Sequence, residues 1–263
     1  TMDLISGYVD VPKSEIDYVC AGINHMAWFL RLEHDGEDLY PLLRERFEQP
    51  AYYVNEKVRG EVLRHFGYMM TESTGHLAEY VPWFIKSHRP DLIERFGIPL
   101  DEYPIRCEEQ IAGWAAQAAA FKGPDPIAVE KSHEFAADMM NAVVTDTAYT
   151  FYGNLANTGQ VPQLPARAAV ETECSIDAAG IQPVTTENIP PQLIALMRTQ
   201  INVQELTVRA LLDENPDHIH HAAMLDPHTA AELDLRQIRA MVQDLLAAHA
   251  DWLPAWARIK QAA

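Results

Sequence analysis

Asn24 and His25 are two polar side chains within an otherwise apolar stretch of the sequence. Together with Gly22 they form a short segment between two runs that are typical of strands, so we expect them to project from a rigid edge into a cleft. An imidazole in such a place could bind a metal ion or transfer a proton. An ordinary hydrogen-bonded histidine is the alternative, because no second ligand is adjacent in the sequence.

A second group of reactive side chains lies in residues 71–83, which read TESTGHLAEYVPW. It combines carboxylates, an imidazole and aromatic rings: Glu72, His76, Glu79, Tyr80 and Trp83. This density suits a sugar-binding pocket, where carboxylates bind hydroxyls and aromatic faces stack on the ring. A capped helix start with a solvated acidic face is the alternative, and the residues alone leave both open.

Histidines near Asp226-Pro227 form a third group, made of His218, His220, His221 and His228. They could hold a transition metal, but Asp226 followed by Pro227 is also typical of a helix with an Asp cap and Pro in its first position. We favour the cap because the histidines have no defined ligand spacing. Cys107 and Cys174 lie on apolar faces and are predicted to be buried small hydrophobes rather than nucleophiles.

The elements that position these groups are predicted from apolar periodicity. Residues 16–33 read as a strand, a tight turn and a strand, and the second strand should place these residues on one face: Met26, Trp28, Leu30 and Leu32. Four-residue spacing predicts three amphipathic helices whose Met and aromatic stripes belong to the core. The residues that mark them are Val58, Val62 and Phe66; Cys107, Ile111, Trp114 and Ala118; and Phe135, Met139 and Val143.

Two strand-like runs follow, Tyr149 to Leu155 and Ala168 to Ile176, and alternation in the second predicts one buried and one wet face. The pattern is helical again from Pro191 to the Asn215-Pro216 break. Asp234 with Gln237 three residues later predicts a capping box at the start of the last helix. The breaker at residues 122–126 is flanked by apolar helices, so we interpret it as a loop within one domain.

Composition bounds the class of protein. The chain of 263 residues is 48% hydrophobic and 22% charged, which is typical of a folded globule. Its net charge of -18 argues against nucleic acid or an anionic membrane as a partner. Its cysteines lie far apart without a CxxC pair, which is typical of reduced thiols and predicts the cytoplasm. We expect neither a leader nor a membrane span, because the given sequence opens without a charged-then-apolar segment and has no apolar run of the roughly 18 residues that span a membrane. It also contains no GxGxxG motif.

Ordered sequence blocks along essentially the whole chain resemble the family 4 glycoside hydrolases. These blocks are CAGINHMAWFLRLE, GYMMTESTGHLAEYVPWFIK, RPDLIERFGIPLDEYP, YGNLANTG, DAAGIQP, INVQ, HAAMLDPHTAAEL and DLLAAHADWLP. They are most similar to the bacterial α-galactosidases of the family, the melibiases. The resemblance implies an α+β fold like the C-terminal domain of lactate and malate dehydrogenases, mostly helical with a small antiparallel or mixed sheet. Residues 1–263 are then a single C-terminal domain, and an NAD-binding Rossmann domain precedes it in the whole protein.

The resemblance also implies a mechanism. In this family NAD oxidises the sugar at C3, a base removes the acidified C2 proton, the C1 leaving group departs, water adds, and the hydride returns. Mn²⁺ chelates the sugar oxygens at C2 and C3 and stabilises the enediolate. The implied partners are a small sugar and further copies of the chain in a homodimer or homotetramer, with no nucleic acid and no membrane.

Site residues carry over from the family at few positions. His25 matches the metal-ligand histidine, and Asn24 matches a position that lines the substrate site. His76 stands where phospho-glucosidase relatives have a tyrosine as the C2 base, with Tyr80 nearby, so the base is His76, Tyr80 or a residue of the N-terminal half. The family's second metal ligand is a cysteine to which Cys20 does not correspond, so His25 alone should bind manganese weakly.

The sequence therefore predicts an α-galactosidase whose 263-residue part is inactive alone. One alternative is a non-catalytic module for oligomerisation or substrate binding. Others are an α-glucosidase or a uronic-acid glycosidase of the same family. A hydroxy-acid dehydrogenase substrate domain is suggested by shared architecture only.

Overall fold

The computed structural model describes residues 1–124, 126 and 134–258. Helices dominate this part of the chain. Their bounds are α1 (Met2–Val9), α2 (Tyr40–Glu48), α3 (Pro50–Tyr53), α4 (Lys57–Phe66), α5 (Thr74–Tyr80), α6 (Asp91–Phe96), α7 (Glu102–Lys122), α8 (Ala136–Thr145), α9 (Pro191–Leu212), α10 (Pro216–Leu225), α11 (Pro227–Glu232) and α12 (Leu235–Ala248).

The described strands belong to one small sheet, and each of the strand pairings described is antiparallel. The strands are β1 (Asp17–Ile23), β2 (Met26–His34), β3 (Glu37–Asp38), β4 (Met69–Met70), β5 (Tyr149–Ala156), β6 (Ala169–Asp177) and β7 (Gly180–Pro183). The order is β3-β2-β1-β6-β5, with β4 paired to β2 and β7 paired to β6. The prediction of a mostly helical α+β fold with a small sheet is confirmed, and the sheet is of the antiparallel kind.

Apolar clusters cover both faces of the β1–β2 hairpin. Met26 and Trp28 belong to a cluster with residues of α4, α5 and α9, whereas Ala27 and Phe29 belong to a second cluster with α1 and α2. Alternate side chains of β2 point to opposite faces, so each face contributes to a different part of the core. The hairpin is therefore held from both sides, which makes its turn a rigid support.

A β-bulge corrects one detail of the predicted hairpin. Cys20 pairs with Phe29 and Val19 pairs with Arg31, so Leu30 is an extra residue without a partner. One extra residue reverses which face the following side chains take. Leu32 consequently packs in the cluster of Phe29, whereas the strict alternation had predicted it on the face of Met26.

The three predicted helices correspond to α4, α7 and α8, but the prediction that their apolar stripes are core is wrong for α7. No residue of α7 is buried, and Ile111 and Trp114 are 76% and 60% exposed. In α8, Met139 packs in a small cluster, whereas Val143 is 42% exposed. Periodicity shows that a helix has an apolar face, but it does not identify the surface that covers this face.

The second half of the chain follows the predicted pattern closely. Strand β6 alternates between buried and half-buried residues, and Pro191 opens α9. Asp226 caps α11 by accepting a hydrogen bond from the Thr229 N–H at 2.7 Å. Asp234 and Gln237 form the predicted capping box of α12. The cap interpretation of Asp226 is confirmed.

Other predicted features have mixed outcomes. Helix α7 ends at Lys122, at the start of the predicted breaker, whereas Asp125 lies outside the described residues. All three cysteines are free; Cys20 and Cys174 are buried, but Cys107 is only half-buried on α7. Among the described helices, none is both long and apolar enough to cross a bilayer.

Candidate functional site

The turn between β1 and β2 consists of Asn24 and His25, because Ile23 pairs directly with Met26. His25, the second of the two turn residues, has a φ of 61°, in the left-handed region that is uncommon for residues other than glycine. Gly22 allows the close approach of the strands, since a Cβ at this position would lie 2.5 Å from the Met26 carbonyl oxygen. The imidazole is thus presented at the end of a hairpin whose body is buried.

The segment after β4 brings the second reactive group beside this turn. Strand β4 pairs with β2, and the Thr71 N–H continues the pairing by donating to the Ala27 carbonyl at 3.0 Å. Ser73 then caps α5, because its hydroxyl accepts a hydrogen bond from the His76 N–H at 3.5 Å. Residues 71–76 are therefore fixed next to the start of β2.

The carboxylate of Glu72 joins the two histidines. One carboxylate oxygen lies 2.5 Å from Nδ1 of His25, and the other lies 3.0 Å from Nδ1 of His76. The two imidazole rings are nearly perpendicular, with centroids 5.2 Å apart. Tyr80, one turn further along α5, stacks on His25 at 5.8 Å with an angle of 12° between the rings. Four side chains from two segments meet at one place.

Arg59 and Glu56 hold the segment that carries Glu72. Arg59 is 5% exposed and donates hydrogen bonds to the backbone carbonyls of Thr71, at 3.0 Å, and Glu72. Its Nε lies 3.5 Å from a carboxylate oxygen of Glu56, which in turn accepts a hydrogen bond from the Thr74 hydroxyl at 2.9 Å. A buried guanidinium that satisfies two carbonyls and a carboxylate restrains the backbone on both sides of Glu72.

The charge state of the site follows from these contacts. Burial opposes ionisation of Glu72. The carboxyl nevertheless has a lowered pKa, because it accepts hydrogen bonds from His76, the Ser73 N–H and His25, and the charge of His25 adds to their effect. Burial raises the pKa of Tyr80, and the carboxylates of Glu79 and Glu72 raise it further. Glu72 is therefore an anion at neutral pH, and the Tyr80 phenol keeps its proton.

Glu171 is a second carboxyl beside the site that the sequence prediction missed. It pairs across β6 with Gly22 of β1 on one side and with Asn154 of β5 on the other, and Asn154 also donates a side-chain hydrogen bond to it. The pKa of Glu171 is raised, mainly by burial and further by the charge of Glu72. The hydrogen bond from Asn154 and the charge of His25 oppose this rise. The only indication of Glu171 in the sequence was the alternation of β6, which predicted that one face of the strand contacts solvent.

The structure brings together some of the predicted residues and separates others. His25, His76 and Tyr80 converge, while Asn24 is exposed at the turn. Trp83 instead stacks on Phe66 at 5.2 Å.

Within the part of the chain described, the group of His, Cys, Asp and Glu side chains that could hold a metal ion is His25, Glu72 and His76, whose ligand atoms lie within 4.8 Å of one another. The histidines near Asp226 are not such a group. Glu72 belonged to the reactive cluster of the sequence but was not predicted as a site residue, although its i, i+4 spacing to His76 was a usable signal.

Comparison with known proteins places these features in a family. Residues 20–229 match the family model described as the family 4 glycosyl hydrolase C-terminal domain. An α-galactosidase of Bacillus subtilis is 44% identical over 235 residues, which cover 89% of this chain and 54% of that protein. An α-galactosidase of Rhizobium meliloti is 32% identical over 262 residues, covering 95% of this chain and 53% of that protein. The chain spans about half the length of the curated relatives it matches.

A solved structure has the same fold. It is a 6-phospho-α-glucosidase from gut microorganisms in complex with NAD and Mn²⁺, with a TM-score of 0.74 and 18% identity. The match covers 98% of this chain and 60% of that one. The likeness confirms the fold class predicted from the resemblance, including its similarity to the C-terminal domain of lactate and malate dehydrogenases.

Proposed function

The chain belongs to the family 4 glycosyl hydrolases, and we propose that the whole protein hydrolyses terminal α-galactosides such as melibiose. The observation that carries the proposal is the convergence of His25, Glu72, His76 and Tyr80 at the end of the β1–β2 hairpin. The two α-galactosidases described above, at 44% and 32% identity, support the choice of sugar.

We propose that His25 is a ligand of a divalent cation, Mn²⁺ in the whole protein. The site fits such an ion, because imidazole nitrogen is a suitable donor, the Glu72 carboxylate places a negative charge beside it, and the two histidine side chains are 40% and 42% exposed. A bound cation would supply Lewis acidity to sugar oxygens. Asn24, exposed beside His25, is proposed to bind a sugar hydroxyl through its amide.

His76 is the proposed base that accepts the C2 proton, and Tyr80 is the second candidate. An imidazole hydrogen-bonded to a carboxylate is a suitable proton acceptor at neutral pH. The raised pKa of Tyr80 holds its phenol in the protonated form, which favours His76. Tyr80 would then act mainly by stacking on His25 and excluding water from one side of it.

NAD is the second cofactor that we propose for the whole protein, as in the solved 6-phospho-α-glucosidase complex. The described residues of this chain do not fit a dinucleotide site, since the pairings of their strands are antiparallel and no GxGxxG turn joins a strand to a helix. We therefore assign NAD binding to another part of the whole protein and derive no step through it.

The organisation of the chain is also a proposal. We propose that residues 1–263 form one domain, supported by the pairing of β1 with β6 across more than a hundred residues of sequence. The exposed apolar residues of α7 support a homo-oligomer, as a dimer or tetramer. The three free cysteines support a reducing compartment, the cytoplasm.

Hydrolysis of an aryl α-galactoside tests the proposal. We expect the whole protein, supplied with NAD, Mn²⁺ and a thiol reductant, to release the aryl group, and the 263-residue chain of verified mass to release none. His25→Ala in the whole protein should lower the rate at least about 100-fold, because a metal ligand is lost. His65→Ala is the matched control, since this side chain is 64% exposed on α4. Equal rates for the two variants, or turnover of an aryl α-glucoside or α-galacturonide instead, would refute the assignment.

A further inference from the structure

Glu72 makes an unusual pair of contacts for one carboxylate. Each of its two oxygens faces the Nδ1 atom of a different imidazole, at 2.5 Å for His25 and 3.0 Å for His76. A carboxylate is an acceptor only, so each of these nitrogens must carry the hydrogen. Both histidines are therefore set in the same form, with the proton on Nδ1.

The consequence concerns the opposite edge of each ring. In a neutral imidazole with a proton on Nδ1, the Nε2 atom has a free lone pair, which can bind a metal ion or accept a proton. Among the described residues, no hydrogen bond reaches Nε2 of His25 or of His76. The Glu72 side chain is 22% exposed, against 40% and 42% for the two histidines, so the carboxylate is more buried than the rings.

The position of the carboxylate is itself fixed. Oε1 of Glu72 also accepts a hydrogen bond from the Ser73 N–H at 2.9 Å, and Arg59 donates a hydrogen bond to the backbone carbonyl of Glu72. Rotation of the carboxylate would break the contact to at least one histidine. An anion restrained in this way orients both rings at once.

We propose that Glu72 is a positioning residue that sets His25 and His76 in the Nδ1-protonated form, so that the Nε2 atoms of both rings point into one shared space. His25 then offers Nε2 to a divalent cation, and His76 offers Nε2 to the proton of the substrate. The ring centroids lie 5.2 Å apart, so we expect a single ligand to reach both Nε2 atoms. The identity of that ligand as a sugar rests on the proposed function; the geometry of the two rings does not.

The direct test is the ring-nitrogen NMR spectrum of the ¹⁵N-labelled chain without metal or sugar, at a pH where the imidazoles are neutral. We expect both His25 and His76 to show a protonated Nδ1 and an unprotonated Nε2. In Glu72→Gln the two rings should become mixtures of the two forms. Glu79→Gln, at an exposed position on α5, the helix that carries His76, should leave the spectrum unchanged. Protonated Nε2 atoms in the unaltered chain, or an unchanged spectrum in Glu72→Gln, would overturn the proposal.

Metal titration separates positioning from direct ligation. With Zn²⁺ as a diamagnetic probe, we expect the Nε2 resonance of His25 to shift, and Glu72→Gln to weaken binding by about 10- to 100-fold. His25→Ala should abolish the binding. A shift at Nδ1, or loss of binding in Glu72→Gln equal to that in His25→Ala, would make Glu72 a direct ligand and refute the positioning role. Neither measurement uses hydrolysis, so a failure here is distinct from failure of the α-galactosidase assignment.

Discussion

At the residue scale, the charge on Glu72 links the site to the stability of the fold. Removing a carboxylate from water disfavours its charged form, but its hydrogen-bond donors from His76, Ser73 and His25 more than offset this cost. The result is a carboxyl with a lower pKa in the folded chain than its ordinary value of 4.5. The folded state therefore releases this proton more readily than the unfolded state does.

A pH dependence of stability follows from that difference. A lowered pKa contributes stability that is present above the unfolded value of 4.5 and is lost as the pH falls through the folded value. We expect Glu72→Gln to be less stable than the unaltered chain near neutral pH, and the difference to shrink as the pH falls below 4.5. Urea unfolding at a series of pH values measures this, with Glu79→Gln as the exposed control. A difference that stays constant with pH would contradict the argument.

At the element scale, the β1–β2 hairpin depends on the absence of a side chain at Gly22. A Cβ there would lie 2.5 Å from the Met26 carbonyl oxygen and 2.6 Å from the Ala27 Cα, and backbone atoms of a buried strand cannot easily move away. The turn that carries His25 begins two residues later. Any shift of the strands would therefore displace the imidazole as well.

Alanine substitutions at two glycines test this point. Gly22→Ala should destabilise the chain by about 2–4 kcal/mol, because the added Cβ forces the strands apart. Gly113→Ala on α7 has open space around it and should stabilise the helix by about 0.5–1 kcal/mol. Chemical unfolding gives both values, and cation binding by Gly22→Ala reports the displacement of His25. Similar stability of the two variants would show that the hairpin tolerates the strain.

At the scale of the whole molecule, α7 is a long helix whose apolar side is exposed in the described part of the chain. Its exposed side chains include large apolar groups: Tyr103, Ile111, Trp114 and Phe121. Contiguous exposed apolar surface of this kind favours association, although the net charge of -18 repels further copies at long range. Salt should therefore strengthen association, because it screens the repulsion.

A charge placed on this side of α7 should weaken self-association. We expect Trp114→Glu to shift the chain toward monomer by at least about tenfold in dissociation constant, because an interface would have to bury an unpaired carboxylate. Trp252→Glu is the matched control, with the same charge change at a position 88% exposed near the C-terminal end of the described chain. Sedimentation at several concentrations and salt levels measures both. Equal effects of the two substitutions would rule out α7 as the interface.

Much of the fold was determined by short stretches of the sequence. The hairpin around Asn24 and His25, the Asp226 cap and the capping box of Asp234 were predicted, since turns and caps depend on residues within a few positions. The family was predicted from the ordered sequence blocks, because many local motifs in one order are specific to a single family. Leu32 was predicted on the wrong face, because a bulge requires knowledge of the partner strand.

Only the tertiary structure decided how the site is assembled. His25 and Glu72 are 47 positions apart, and they meet because β4 pairs with β2 and places residues 71–76 over the turn. Alternation and four-residue spacing fix which way a side chain faces within its own element, but not which distant element lies opposite. The same limit explains α7, whose apolar side was visible in the sequence and whose exposure was not. Contacts between elements depend on packing in three dimensions, which places His25 and His76 against the carboxylate of Glu72.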